Sequence, residues 1–311
     1  MSTKDEGMNH QIKKKNGIIW IVIVIVVILC TILAVLLIWM NRKPKEWTIT
    51  SYASVTGNQA MVYSIVDDRG RLILIDGGWE EDAEQVRSII KEHGNRVYAW
   101  VITHPHPDHT GAFNVIMLED NAILVDDIYV TNLDYERYKE TAQWYDVFEA
   151  CEKYYQIINQ LDNVHILQEN ESFECLGLTF DVIHGWDSDV NHQKDHLCNN
   201  GSLAFIVSGN HEKILFLGDV QLEMEQYILA RHSEELHELR YVQAGHHGNW
   251  GLTTKFYDTI DAPQEIFFDS TDALLEPGEA GYNAGELKAY FEGRGATVVN
   301  YSSAPNSILL K

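Results

Sequence analysis

The chain has 311 residues, with 46 Asp and Glu against 23 Lys and Arg and a formal net charge of −23. That length suits one sizeable domain with appendages, and that charge excludes a surface built to hold a long polyanion such as nucleic acid, which it would repel. The four cysteines, Cys30, Cys151, Cys175 and Cys198, stand at scattered spacings and give no disulfide framework.

Residues 1–17 are a short tail carrying Lys13, Lys14 and Lys15. From Ile18 to Met40 nearly every residue is apolar, with neither charge nor proline. Some twenty such residues at 1.5 Å each cross a hydrocarbon core of about 30 Å. The run is longer than the roughly 7 to 15 apolar residues of a cleavable signal and leads into no small-x-small cleavage site. Residues 18–40 are therefore predicted to form one transmembrane helix, with Trp20 and Trp39 near its ends as interfacial aromatics. Arg42, Lys43 and Lys45 nearly balance the lysines before the span, but a short basic tail ahead of a single span favours an extracytoplasmic domain on the cell membrane. Lys4, Lys13, Lys14, Lys15, Arg42, Lys43 and Lys45 all lie in or beside this region, so the rest of the chain is more acidic than the net charge states.

A linker over 41–46 precedes a domain over 47–311. Apolar, β-branched runs predict strands at 48–53, 61–66, 72–75 and 97–102, with Asp67, Asp68, Arg69 and Gly70 as a hairpin turn. Between them, Val86, Ile89 and Ile90 stand at helical spacing within 80–93. Residues 134–161, rich in Tyr and Glu, predict one long helix or two. Strands follow at 164–167, 178–183, 202–208 and 213–217, a helix at 221–236, a strand at 241–244 and a helix at 253–260. A strand at 265–268, a helix at 284–291 and strands at 297–300 and 307–310 complete the series. Such alternation predicts an α/β domain of sheets covered by helices.

The densest chemistry is Thr103, His104, Pro105, His106, Pro107, Asp108, His109, Thr110 and Gly111, directly after the strand at 97–102. Imidazole nitrogens and carboxylate oxygens are ligands that zinc accepts, and three histidines with an aspartate in six positions can converge on two ions. In an extended loop His104 and His106 point the same way and share one ion, while Asp108 and His109 turn toward a second.

These residues resemble the metallo-β-lactamase-fold hydrolase superfamily, whose signature is H-x-H-x-D-H after a buried strand. The resemblance implies an αββα sandwich of two mixed sheets flanked by helices, and two Zn2+ per chain. His104 and His106 would hold the first ion, and Asp108 and His109 the second. Leu74, Ile75, Asp76, Gly77 and Gly78 match a strand-ending I-D-x-G whose aspartate supports the metal loop. Leu215 to Asp219 match a later strand ending in G-D, where Asp219 would bridge both ions. Ala244, Gly245, His246, His247 and Gly248 match an H-H-G run, in which His247 is the preferred ligand of the second ion. His246 would then contact a phosphate or protonate the leaving group.

Most members have a histidine before the strand leading to Asp219, and this chain instead has Cys198, Asn199, Asn200, Gly201 and Ser202. The N-N-x-S run together with H-H-G resembles the branch containing the soluble domain of ComEC-type DNA-uptake channels. The first ion thus has an open ligand position, for which Cys198, His196 and His192 are candidates, or it is held by His104, His106, Asp219 and water. Asn199, Asn200, Ser202 and Trp250 are expected beside the ions or the substrate, Trp186 is expected to line the pocket, and the aromatic segment from Tyr135 to Tyr155 is a candidate substrate wall or lid.

The resemblance implies a metal-dependent hydrolase in which a metal-activated water is the nucleophile and Asp108 orients it. A phosphodiesterase is the first expectation, and the acidity of the chain favours a small or surface-linked phosphoester, such as a phosphocholine-type head group, over DNA. Hydrolysis of a lactone, lactam or thioester is the alternative, and a non-catalytic metal-binding surface protein is a third reading.

Overall fold

The computed structural model describes residues 20–36, 42, 44–119, 122–260, 263–276, 278, 283–301 and 306–311. The chain divides into two units, Met1–Lys43 and Pro44–Lys311. In the first, residues 20–36 are helical with every side chain exposed. Among the described residues no helix is long and apolar enough to cross a membrane. The tail over 1–17, residues 18, 19 and 37–40 of the predicted span, and residues 41 and 43 of the linker lie outside the described residues.

The second unit is built on two seven-stranded mixed sheets. The first comprises β1 (Trp47–Ser51), β2 (Tyr63–Asp67), β3 (Leu72–Ile75), β4 (Arg96–Ile102), β5 (Leu124–Thr131), β6 (Val164–Leu167) and β14 (Ser307–Leu310), in the order β14-β1-β2-β3-β4-β5-β6. The second comprises β7 (Ser172–Cys175), β8 (Leu178–His184), β9 (Ala204–Ser208), β10 (Lys213–Phe216), β11 (Tyr241–Gln243), β12 (Glu265–Phe267) and β13 (Thr297–Val299), in the order β13-β12-β11-β10-β9-β8-β7. In each sheet an antiparallel half adjoins a parallel half, β3 to β6 in one and β10 to β13 in the other.

Alternation along the strands creates three apolar layers. Ile49, Tyr63, Ile65, Ile73 and Val101 of the first sheet meet Phe180, Phe205, Phe216 and Phe267 of the second in a shared core. Tyr63 meets Phe216 edge to face, with ring centroids 5.1 Å apart, an arrangement that satisfies the ring quadrupoles. The outer face of the first sheet is covered by α1 (Ala83–Glu92), α2 (Pro107–Glu119) and α4 (Phe148–Ile158), through residues such as Val86, Ile90, Phe113 and Tyr154. A third core, with Met224, Ile228, Phe256 and Phe291, lies under the helices that cover the second sheet. The αββα arrangement implied by the sequence is thus realised.

Local departures from expectation have physical causes. Strand β5 was not anticipated because Asp126 and Asp127 interrupt its apolar pattern, yet Asp126 pairs with Arg96 at 2.8 Å and Asp127 with His165 at 2.7 Å on the flanking strands. Strand β7 returns into β8 through Leu176 and Gly177, both at positive φ. That geometry suits a two-residue hairpin but carries no Asn-Gly or Asp-Gly signal. Residues 134–161 form two helices, α3 (Tyr135–Thr141) and α4, separated at 142–147. The histidine-rich segment is without regular structure only as far as His106, and the expected loop at Asp108 and His109 is instead the first turn of α2, which Pro107 opens in the position where a missing N–H costs nothing. Gly111 lets this helix approach the main chain of Trp79 and Glu80, which a Cβ would meet at 2.2 to 2.3 Å.

Asp269, just beyond β12, bonds the two sheets. Its buried carboxylate accepts from the hydroxyl of Ser51 at 3.3 Å and from that of Tyr63. Burial pushes this carboxyl up to about 6, against the opposing pull of His247 and Tyr63. A carboxyl with a raised folded value contributes stability that is complete below the unfolded value of about 4 and is lost as pH rises through the folded one. In chelator-treated protein, the unfolding free energy of the wild type minus that of Asp269→Asn should therefore fall by on the order of 2 to 3 kcal/mol between pH 4 and pH 7. Asn tolerates the positive φ at this position, and a flat difference in urea titrations would overturn this assignment.

Candidate metal centre

The site forms where the C-terminal ends of β3, β4, β10 and β11 meet. Asp76, at the end of β3, sits at φ 53 and is fully buried. Its carboxylate accepts from the Thr103 N–H at 2.8 Å, from the Thr103 hydroxyl at 2.7 Å and from His109 Nδ1 at 2.6 Å. Burial raises the Asp76 carboxyl, while His109 and Thr103 pull it back. Because Nδ1 of His109 donates to Asp76, Nε2 is the free nitrogen, and it points to Asp219 Oδ1 at 3.2 Å.

Asp219 faces two ways. Oδ1 also lies 3.5 Å from His247 Nε2, while Oδ2 lies 3.8 Å from His104 Nε2 and 3.9 Å from His246 Nε2. Gly218 makes this possible: its φ is +53, and a Cβ would press on Ser202 and Thr103 at 3.0 and 3.1 Å. Ser202 Oγ accepts the Asp219 N–H at 3.1 Å, which ties the carboxylate to the turn carrying Asn199 and Asn200. His247 Nε2 also lies 3.4 Å from Asp108 Oδ2.

Two groups of ligand atoms result, each within 4.8 Å: His104, His106 and Cys198 in one, and Asp108, His109, Asp219 and His247 in the other. Among the candidates for the open position, Cys198 is the residue that joins the first group. His196 is partly exposed and His192 exposed, both outside the groups. Asp146, which nothing in the local sequence marks, accepts from His106 Nε2 at 3.0 Å.

The electrostatics fit cations. His104 Nε2, His109 Nε2, both nitrogens of His247 and Asp219 Oδ1 are buried without a hydrogen-bond partner, a costly condition for polar atoms unless a ligand compensates them. Burial and the neighbouring His109 hold His104 well below the usual imidazole range. For His109 and His247 burial opposes the proton, yet Asp219 with its neighbours outweighs it, lifting His109 well above that range and His247 up to about 10. Against the burial that opposes ionisation, His109 and His247 hold Asp219 well below the ordinary carboxylate range. Without an ion, protons on His109 and His247 compensate the ionised Asp219, the position that a cation of the zinc type would take with those protons released.

Residues 55–185 match the model of the metallo-beta-lactamase superfamily. That stretch of the chain is similar to this superfamily. The match takes in Asp76 and the His104–His109 run and stops before Cys198, Asp219 and the His pair. The metallo-beta-lactamase fold protein YhfI from Bacillus subtilis is similar in structure, with a TM-score of 0.51 at 9% identity, over 85% of this chain and 99% of that one. A diphosphatase of the PhnP family follows at 0.47 and 13% identity, over 85% and 97%. The CmlA β-hydroxylase E377D mutant stands at 0.49 and 13%, over 87% and 55%. No curated protein matches the chain.

Beside this cluster lies a cavity of about 700 Å³ whose lining includes Trp144, Tyr145, Asn199, Glu223, His246 and Trp250. Trp144 is 91% exposed and Trp250 58%. The aromatic segment therefore divides: Trp144 and Tyr145 face the cavity, while Tyr138 and Tyr154 pack in the cores. Trp186 does not line this cavity. It is buried in the third core, its indole N–H bonded to Asn191 at 2.8 Å, and packs beneath Gly201. Asn200 Oδ1 accepts the Gln221 N–H at 3.1 Å, and Gln221 Nε2 in turn donates to His246 Nδ1 at 3.0 Å. The Asn199 carboxamide faces His246 Nε2 at 3.4 Å. Gln221 and Asp146 went unnoticed in the sequence because each acts through a fold contact rather than a motif.

Asp76→Asn presents an amide to His109 and disturbs the tautomer that leaves Nε2 free. Metal affinity, followed by competition with a chromophoric chelator, should drop about 10- to 100-fold with the fold retained. An unchanged affinity would remove Asp76 from the supporting network.

Proposed function

We propose that this protein is a membrane-anchored, zinc-dependent phosphodiesterase acting on a small or surface-linked phosphoester. The observation that carries the reading is Asp219, whose two oxygens face separate ligand groups, as a site for a pair of ions requires. Bound zinc would supply Lewis acidity and a water acidic enough to ionise near neutrality. Asp108, whose carboxylate reaches into the second group, accepts a hydrogen bond from the attacking water and orients it. His246 is held down to about 4, first by burial, with Asp219 opposing, so at neutral pH it is an uncharged imidazole. The side-chain amides of Gln221 and Asn199 hold its two ring nitrogens, and as a neutral ring it binds the phosphoryl group rather than delivering a proton to the leaving group.

The substrate class follows from the cavity and the charge. Trp144, Tyr145, Trp250 and Glu223 share the lining of the cavity, a combination that attracts an organic cation to aromatic faces and repels a polyanion. A phosphocholine-type head group fits both features. The N-N-x-S and H-H-G runs support the phosphodiesterase branch over the lactone, lactam or thioester alternative. For the anchor, support comes from the uninterrupted apolar sequence over 18–40 and the exposed apolar helix over 20–36. An orientation with the domain outside the cytoplasm is part of the reading.

With zinc added, the protein should turn over bis-nitrophenyl phosphate and nitrophenyl phosphocholine, and turnover confined to a lactone or nitrocefin would reverse the substrate class. Asp219→Ala should lose bound zinc and lower turnover by about a thousandfold or more, on the scale typical of removing a catalytic group. Full zinc content and full activity in that variant would end the two-ion account. Alkaline carbonate should leave the full-length chain in the membrane pellet, and release into the supernatant would refute the anchor.

A further inference from the structure

The histidine usual in that superfamily before the strand leading to Asp219 is missing from the run Cys198 to Ser202. Cys198 lies in the short helical turn Leu197–Asn200, fully buried. Its Sγ lies within 4.8 Å of a nitrogen of His104 and of His106. His192 and His196 stay outside that group. Two further observations point to a ligand there. His104 Nε2 is buried with no hydrogen-bond partner, and it faces the second oxygen of Asp219 at 3.8 Å. His106 is held at Nε2 by the Asp146 carboxylate at 3.0 Å, with its ring in one group with Cys198.

We infer that Cys198 is a thiolate ligand of the first ion, so that one metal is held by His104, His106, Cys198 and Asp219 and the other by nitrogen and oxygen donors alone. This rests on the two-ion reading above. The thiol proton leaves to solvent as the ion enters, and the sulfur donates its lone pair without change of oxidation state. A sulfur donor makes this position softer than its neighbour, so it selects zinc, cobalt or cadmium over magnesium or manganese. The turn is held for this purpose: the Asn200 N–H bonds His196 O at 2.8 Å and the Gly201 N–H bonds Leu197 O at 2.8 Å, which fixes the backbone on both sides of Cys198.

Cobalt reads the sulfur directly. The full-length chain, stripped by chelator and reloaded with Co2+, should show a near-ultraviolet thiolate-to-metal charge-transfer band. That band should vanish in Cys198→Ser and in Cys198→His, the latter still binding two ions because an imidazole returns to the position. It should persist in Cys175→Ser, whose thiol lies on strand β7 and belongs to neither ligand group. X-ray absorption at the zinc edge of the wild type needs no variant, and it should show a sulfur scatterer at about 2.3 Å. Two bound ions with no band and no sulfur scatterer overturn the assignment of Cys198 while leaving the hydrolase reading intact. A band that survives Cys198→Ser overturns it equally. A wild type that binds no cobalt or zinc overturns both.

Discussion

Everything at the centre of this molecule depends on one buried carboxylate that must be compensated from two sides. Asp219 is almost wholly shielded from water, where an unpaired charge is expensive. His109 and His247 compensate one oxygen, and His104 with His246 approaches the other at longer range. Without cations the compensation comes from protons, which is why His109 and His247 hold theirs so tightly. Metal uptake must then release protons, so affinity rises with pH.

The surrounding architecture exists to hold that arrangement still. Asp76 and Thr103 fix His109 from behind, Asp146 does the same for His106, and Ser202 carries the main chain of Asp219. Each support comes from a different strand end or loop, so the cluster is as rigid as the packing between the two sheets. The left-handed backbone at Asp76, His246 and His247 is strain that only such packing sustains.

The parts of this design that announced themselves in the sequence are those in which side-chain chemistry is contiguous. His104 to His109, Gly218-Asp219 and His246-His247 could be singled out because these side chains lie close along the chain or end an apolar strand. Strand β5 hid behind paired aspartates whose partners sit on neighbouring strands. Asp146 and Gln221 became visible only when the fold brought them against imidazoles. Trp186 illustrates the reverse: its nearness in sequence to Asn199 suggested a pocket wall, whereas packing under Gly201 carries it into the core. The turn into α2 shows a subtler limit, since extended and helical starts share the same prolines.

The pairing of Trp47 with Leu310 has a consequence for biosynthesis. The first strand of the domain finds one neighbour in β2, a few residues downstream, but its other neighbour is β14, made some 260 residues later. Until residues 307–310 leave the ribosome, β1 keeps an open edge, and the Asp269 bond to Ser51 and Tyr63 has no acceptor until β12 has emerged. A nascent chain with an unpaired strand of this kind invites association with another. Closing the first sheet is thus a late, non-local event of the kind that slows folding.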